Sequence, residues 1–278
     1  RVLACRSRGV QCPHAIRTPT PPPRMRLIVL ASGSSGNAAL VESGGRAVLL
    51  DAGISAREML RRLAAAGASD VRIEAVLVTH EHADHVRGVR VLARRLGVPV
   101  IASVGTLQAA AACLADVPET IAISRGEQIS LAGMRVGAFA TAHDAAEPLG
   151  FTFESRRGHR ITIATDTGVV TPEVADALTG ANVIGLEANH DLRMLADGPY
   201  PPFLKRRIAG DRGHLSNESA AAALAAARWK GLSHVFALHI SEQNNTPTAA
   251  RGALSHPLGG NGVALDTVAR GEIAGCTL

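Results

Sequence analysis

Histidine and aspartate side chains crowd together at one point of the chain, directly after an apolar run. Residues 79–85 read Thr-His-Glu-His-Ala-Asp-His and follow the run 73–78. Four side chains of metal-ligand type lie within six positions, namely His80, His82, Asp84 and His85. Imidazole and carboxylate ligands suit zinc, manganese or iron. The absence of a nearby cysteine argues against a closed structural zinc site. On a tight turn after a buried strand, the first two can face one ion and the last two a second. The spacing predicts a metal-dependent hydrolase.

Two metal ions need more ligands than this loop supplies, and later segments offer them. His143, Asp166 and His239 each stand at the end of a β-rich run, 138–143, 160–166 and 234–239. We expect His143 to complete the first ligand set, His239 to complete the second, and the Asp166 carboxylate to bridge both ions. Asp51 ends another apolar run and is better placed as an outer acceptor that orients the histidine loop.

Alternating strands and helices must position these side chains. The hydrophobic pattern predicts strands at 26–31, 38–42, 46–51, 74–79, 98–102, 120–123, 128–131, 134–140, 149–155, 160–165, 182–187 and 234–239, with a last strand pair at 262–266 and 271–275. It predicts helices at 55–66, 85–96, 106–114, 172–178, 203–209 and 217–228. The second half is expected to begin with the strand at 120–123. Two β-rich halves with outer helices predict an α/β fold, an αββα four-layer sandwich with the metals at one edge of the sheets.

Together these residues resemble the metallo-β-lactamase fold superfamily, over about residues 25 to 250. The matching positions follow the order of that superfamily: Asp51, His80, His82, Asp84, His85, His143, Asp166 and His239. The resemblance implies two divalent metal ions, manganese or zinc. An Asp at position 166, where the zinc β-lactamases carry Cys, implies a hydrolase of thioesters, lactones or phosphodiesters.

Two further stretches resemble one branch, the small bacterial YycJ/WalJ subgroup. They are Leu-Glu-Ala-Asn-His-Asp at 186–191 and Gly-His-Leu-Ser-Asn at 213–217, with supporting segments at 31–37 and 241–247. The resemblance implies a DNA exonuclease that works from 5′ ends, with DNA repair as its setting. A looser similarity to RNA-processing nucleases of the superfamily implies that Glu187 and His214 form a pair beside the metals.

A phosphodiester substrate agrees with the chemistry of these residues. Two bound metals would supply a hydroxide able to attack phosphorus in line, and His214, oriented by Glu187, would donate a proton to the leaving oxygen. We count Asp84 as catalytic beside this pair. The Gly/Ser loop 32–37 lets backbone approach a phosphate closely, and a predicted helix N-terminus at 216–217 is an expected anion site. The expected substrate-binding residues are Ser216, Asn217, Asn244, Asn245 and His190.

Other functions stay open at this point. A small-molecule thioesterase or lactonase on the same fold needs no acid–base histidine such as His214. RNA processing, including that of tRNA 3′ ends, needs an extra arm that this length does not reveal. A binding module with a dead site is disfavoured because every expected ligand position is occupied. The sequence does not decide the metal identity, the choice between DNA and RNA, the cleavage polarity or the oligomeric state. We expect a nucleic-acid partner, with DNA favoured over RNA, and no membrane partner.

The net charge of +5 is not by itself a sign of nucleic-acid binding. Residues 1–24 hold five arginines and no acid, so 24 basic and 24 acidic residues remain after position 24. Any DNA path must be a local patch, and the run 205–207 with Arg212 is the best candidate.

Residues 1–24 differ from the rest in being rich in Arg and Pro, without a stretch apolar enough for a signal peptide. We expect them to be a disordered leader ahead of a natural start at Met25, with an organelle transit peptide as the alternative, and residues 25–278 to form one domain. Four scattered cysteines suit a reducing cytosol, and no run reaches the length of a membrane helix. We therefore expect a cytoplasmic protein.

Overall fold

Two mixed sheets stacked face to face form the centre of the protein. The computed structural model describes residues 24–259 and 262–278. The first sheet has the strand order β14-β1-β2-β3-β4-β5-β6. Its strands are β1 (Met25–Ala31), β2 (Ala38–Ser43), β3 (Arg46–Leu50), β4 (Arg72–Leu77), β5 (Val100–Ala102), β6 (Thr120–Ala122) and β14 (Ala274–Thr277). Strands β3 to β6 run parallel, so their carboxyl ends share one edge of the sheet.

The second sheet repeats this arrangement with the order β13-β12-β11-β10-β9-β8-β7. Its strands are β7 (Gln128–Leu131), β8 (Met134–Ala140), β9 (Leu149–Glu154), β10 (Arg160–Ala164), β11 (Val183–Glu187), β12 (His234–Leu238) and β13 (Ala264–Thr267). Strands β7 to β10 form an antiparallel meander, whereas β10 to β13 run parallel. The carboxyl ends of β8, β10, β11 and β12 therefore lie at one edge.

Helices cover the outer faces of both sheets. The helices within the described residues are α1 (Ala56–Ala65), α2 (Ala83–Val86), α3 (Val89–Leu96), α4 (Val104–Ala109), α5 (Pro172–Leu178), α6 (Leu192–Asp197), α7 (Pro202–Ile208), α8 (Asn217–Ala227) and α9 (Pro247–Leu258). No helix in the described part of the chain is long and apolar enough to cross a membrane.

Three apolar layers hold the sandwich together. The layer between the sheets contains Leu27, Leu77, Phe151 and Phe236, all fully buried or nearly so. A second layer joins the first sheet to α1 and α3, and a third joins the second sheet to α5, α8 and α9. Burial of this apolar area is the main stabilising contribution to the fold. The layers confirm the predicted αββα sandwich.

Several elements differ from the sequence-based predictions. The predicted helix 85–96 is two helices separated near Gly88, where the backbone packs so closely on another turn that a Cβ atom would stand 2.1 Å from the carbonyl oxygen of Ile54. In place of the predicted helix 106–114, a helix ends at Ala109 and the chain continues in turns. Helices α6 and α9 were not predicted, and α9 contains Gly252 and Pro257, which weaken its helical pattern.

Two predictions about strand partners were wrong. Strand β6 extends the first sheet instead of opening the second. The last two strands do not pair with each other, because β13 pairs with β12 and β14 pairs with β1. The predicted leader at 1–24 lies almost wholly outside the described residues, apart from the exposed Arg24.

Candidate metal centre

The ends of strands from both sheets bring the predicted ligands to one edge of the sandwich. The histidine loop follows β4, and the other ligands follow β8, β10 and β12. Asp51, Asp166 and His239 have positive backbone φ angles of 59°, 54° and 53°. A left-handed backbone is uncommon for residues with a side chain and often marks a functional site. Here it turns each residue sharply as its strand ends.

Two groups of possible ligand atoms lie side by side at this edge of the sandwich. The first consists of His80, His82 and His143, and the second of Asp84, His85 and His239; within each group the ligand atoms lie within 4.8 Å of one another. This set of imidazole and carboxylate donors fits two divalent ions.

Asp166 lies between the two groups. Its Oδ2 is 3.4 Å from Nε2 of His85, and its Oδ1 is 3.5 Å from Nε2 of His239 and 3.8 Å from Nε2 of His143. The carboxylate is therefore within reach of both groups, as the predicted bridging role requires.

Asp51 and Thr79 orient two of the histidines from behind. The Nδ1 of His85 donates to Oδ2 of Asp51 at 2.8 Å, and the hydroxyl of Thr79 donates to the same carboxylate at 2.9 Å. The hydroxyl oxygen of Thr79 lies 3.0 Å from Nδ1 of His80, from which it can accept a hydrogen bond. Anchoring Nδ1 in this way leaves Nε2 free to bind a metal. The expected outer position of Asp51 agrees with this geometry.

The other two ring anchors come from the loop before α8 and from the end of β11. The Nδ1 of His143 donates to the carbonyl oxygen of Gly213 at 2.9 Å. The Nδ1 of His239 lies 3.4 Å from Oε1 of Glu187, and the amide of Asn189 donates to the carbonyl of His239 at 2.9 Å. Both rings therefore also turn Nε2 toward the centre.

Burial and charge shift the pKa values of these groups in opposite directions. Burial, helped by neighbouring histidines, lowers the pKa of His80 well below its usual range. Burial also acts to lower the pKa of His85, but the charges of Asp51 and Asp166 outweigh it and raise the value to about 9. For Asp84, burial opposes ionisation, yet the hydrogen bond from His239 and nearby charge lower its pKa. The carboxylate of Asp84 therefore stays ionised and attracts cations.

Glu187 and His214 form a close pair beside the ligand groups. Oε1 of Glu187 lies 2.6 Å from Nδ1 of His214, while Oε2 accepts from the backbone N–H of Thr167 at 2.8 Å and of Leu215 at 3.3 Å. Burial acts to raise the pKa of Glu187, but the charges of His214 and His239 and the hydrogen bonds from them lower it. Burial alone would lower the pKa of His214, but Glu187 raises it. Because both oxygens of Glu187 are occupied, we regard it as a residue that orients His214 and not as a metal ligand.

Asn37 belongs to the site, although the sequence analysis did not single it out. Its Nδ2 lies 3.0 Å from Nε2 of His85 and 3.2 Å from Oδ2 of Asp84, and its Oδ1 accepts from the N–H of Gly33 at 2.9 Å. The only sequence signal was its place at the end of the Gly/Ser loop. That loop supports the site directly, since the hydroxyl of Ser32 accepts from the N–H of His239 at 2.7 Å.

Three of the expected substrate-binding residues are used inside the fold. Ser216 caps α8 by accepting from the N–H of Ser219, at 3.1 Å. Asn217 and Asn245 exchange amide hydrogen bonds of 2.8 and 3.0 Å and are both buried. The backbone N–H of Asn217 donates to the carbonyl of His190. The geometry gives no support to an anion site here, because its donors already have partners.

The other two, His190 and Asn244, are buried as well. Within the described residues, Nδ1 of His190 and both amide atoms of Asn244 have no hydrogen-bond partner. Neither residue lines the cleft that opens beside His214. Both side chains are thus buried away from that cleft, and sequence reasoning could not distinguish a buried asparagine from an open one.

The predicted basic patch borders the site and is partly engaged with it. Nε of Arg207 lies 2.6 Å from Oδ2 of Asp144, and Nε of Arg212 donates to the carbonyl of His143 at 3.1 Å. Lys205 donates to the carbonyl of Ala196. Two of these side chains therefore hold the loop that follows β8, which carries a ligand.

Residues 46–240 match the protein family described as the β-lactamase superfamily domain. This chain belongs to that superfamily. Exodeoxyribonuclease YycJ of Bacillus anthracis is 38% identical over 234 residues, which are 83% of this chain and 88% of that protein. Ribonuclease Z of Bradyrhizobium diazoefficiens is 31% identical over 134 residues, 42% of this chain and 44% of that protein.

A solved structure shows the same fold. The metallo-β-lactamase fold protein YhfI from Bacillus subtilis superposes with a TM-score of 0.69 at 15% identity and covers 91% of this chain and 100% of that one. The resemblance to the metallo-β-lactamase superfamily and to its YycJ/WalJ subgroup is confirmed. The chain is a metallo-β-lactamase fold hydrolase, and its fold implies divalent metal ions.

Proposed function

We propose that this hydrolase is a metal-dependent DNA exonuclease that works from 5′ to 3′ and serves DNA repair. The observation that carries the proposal is the Glu187–His214 pair, 2.6 Å apart, beside the two ligand groups. A thioester leaves as a weakly basic thiolate and needs no such acid, whereas the alkoxide leaving from a phosphodiester does.

The ligand groups support the following choice of residues to hold the metals. The first ion would be bound by His80, His82 and His143, the second by Asp84, His85 and His239, and Asp166 would bind both. Two bound divalent ions supply Lewis acidity and activate water.

The protein's own residues would protonate the leaving group. The buried carboxylate of Glu187 accepts from Nδ1 of His214 and holds the ring in one orientation. The other ring nitrogen is left to donate a proton to the leaving oxygen. The side chain of His214 is 21% exposed and lines a cleft, so substrate can reach it.

DNA is the proposed polymer because the match to an exodeoxyribonuclease covers most of both chains. The match to a ribonuclease Z spans less than half of either chain. That difference favours DNA, and RNA is the alternative that the experiment must test.

The test compares 5′-labelled and 3′-labelled duplex DNA with a matched single-stranded RNA, each with manganese and with zinc. The control is a protein with His82→Ala and Asp84→Ala, prepared identically, and the metal content of both proteins is measured. We expect short products released from the 5′ end of DNA by the unaltered protein alone.

Intact DNA with cleaved RNA would replace the proposal by RNA processing. If neither polymer were cut although two metals were bound, hydrolysis of a thioester or lactone would remain. Equal cleavage by the double variant would assign the activity to a contaminant and contradict the proposal.

A further inference from the structure

A small cleft beside His214 contains the single tyrosine of the chain. The cleft has a volume of about 160 Å³. Tyr200, Leu204 and Ile208 form its apolar side, and Arg207 and His214 lie on the same cleft. Tyr200 precedes α7 and is half-buried, so one part of its ring faces the open space.

The placement of Tyr200 differs from that of the other aromatic residues. The sequence has five phenylalanines, one tryptophan and one tyrosine. Four phenylalanines are buried in the core, and the fifth, Phe203, is 67% exposed on α7 and does not line the cleft. Trp229 lies at a separate depression with Lys230 and Val263. Within the described residues, only Tyr200 offers an aromatic ring other than histidine to this cleft.

The size of the cleft limits what it can hold. Pockets that enclose a drug-sized ligand measure roughly 300–1,000 Å³, so about 160 Å³ accommodates one flat ring system and not several. An aromatic side chain next to such a space is suited to stacking on a nucleobase.

Charge at the cleft agrees with a nucleotide. Arg207 uses Nε for Asp144, and its side chain is 60% exposed, which leaves guanidinium N–H groups for a phosphate. His214 lines the cleft and also contacts the ligand groups, with Nδ1 3.8 Å from Oδ1 of Asp166. Because His214 belongs to both places, a base in the cleft would lie next to a phosphate at the metal centre.

We propose that Tyr200 stacks on the base of the terminal nucleotide while Arg207 contacts a phosphate of the same strand. This inference rests on the proposed function and deepens it. The hydroxyl of Ser241 and the amide of Asn189 also line the cleft and are already bonded within the fold. Stacking without hydrogen bonds to base edges tolerates every base, so cleavage should depend on the presence of a base and little on its identity.

A single tyrosine allows a direct binding test. Protein labelled with 3-fluorotyrosine has one fluorine resonance, from Tyr200, which can be followed in the presence of zinc. We expect a saturable shift with thymidine 5′-monophosphate and binding at least about fivefold weaker for 2-deoxyribose 5-phosphate, which keeps the charge and lacks the base. Labelled Phe203→Ala protein is the matched control and should behave like the unaltered one.

Equal affinities for the two phosphates, or no shift with either, would overturn the inference. This readout does not depend on cleavage, so it separates a failed base site from a failed nuclease.

A kinetic test uses DNA whose terminal nucleotide is abasic. Tyr200→Ala should slow cleavage of ordinary DNA at least about fivefold and leave the abasic substrate unaffected, whereas Tyr200→Phe should cleave both substrates normally. Equal slowing of both substrates in Tyr200→Ala would mean that the residue is merely structural. If the unaltered protein cut neither DNA, the proposed function would fail, and the fluorine titration would still decide the base site.

Discussion

At the scale of single residues, buried charges define the separate roles of neighbouring groups. Glu187 is buried, yet its carboxylate meets His214 and two backbone N–H groups. Hydrogen bonds to the charged form of a carboxylate lower its pKa and keep it ionised. An ionised group with its acceptor positions occupied can orient a ring but cannot itself deliver a proton. In the proposed mechanism the acid is therefore His214, and the partner that orients it is Glu187.

Replacing His214 tests this division of roles. His214→Ala should reduce kcat/KM on DNA by about 10²- to 10⁴-fold, the usual contribution of a general acid. The same variant should lose little activity on bis(p-nitrophenyl) phosphate, because p-nitrophenolate leaves without a proton. Rates on both substrates, measured with equal metal loading, provide the check. An equal loss on both would show that His214 supports the metal centre and does not act as the acid.

At the scale of elements, close backbone approach positions the ligand loop. The loop after β4 packs against the turn after β3, where the N–H of Ala52 donates to the carbonyl of His85 at 2.9 Å. Gly53 lies so near that a Cβ atom would stand 1.5 Å from the carbonyl oxygen of Asp84. A contact this short with backbone cannot be relieved by a side-chain rotation. The glycine is therefore a condition for the ligand geometry.

Gly53→Ala should displace the ligand loop. We expect it to destabilise the protein by about 3 kcal/mol or more, the upper range for overpacking, and to reduce bound metal. Gly252→Ala is the matched control, because a Cβ atom there meets nothing within 4 Å and the residue lies inside α9. It should stabilise the protein by up to about 1 kcal/mol. Urea unfolding and metal analysis of both variants provide the measurement, and full metal binding by the first would contradict the argument.

At the scale of the whole molecule, the end of the chain joins the two sheets. Strand β13 completes the second sheet, and β14 then crosses to the first, where it pairs with β1. Cys276 stands opposite Leu27 in that pairing. Burial raises the pKa of its thiol to about 11. Its ionisation thus reports whether the last strand stays on the sheet.

The reactivity of Cys276 should follow from this burial. A pKa of about 11 instead of 9.0 leaves about 100-fold less thiolate at pH 8, and thiolate is the reactive form. With iodoacetamide, the exposed Cys113 should therefore be alkylated at least about tenfold faster than Cys276. Peptide mass spectrometry over time measures both rates. In urea the two rates should converge; convergence already in native protein would mean that β14 does not hold its place.

The sequence by itself determined the chemistry of the site. Ligand-type residues that end β-rich runs, such as His143 and His239, are recognisable because residue type and position along a strand are local properties. The same holds for the strands themselves, whose predicted bounds lie within a few residues of the observed ones. The loop at 80–85 carries four residues of metal-ligand type within six positions, so no distant contact is needed to see them.

Only the tertiary structure decided which polar residues face the substrate and which support the fold. Asn37 reaches Asp84 across 47 positions, and Asn217 bonds to Asn245 across 28. An amide has the same chemistry whether it satisfies a buried partner or meets a ligand, so its role follows from its neighbours. The placement of Tyr200 beside His214, and of β14 beside β1, likewise depends on packing between segments that are distant in sequence, which local patterns do not encode.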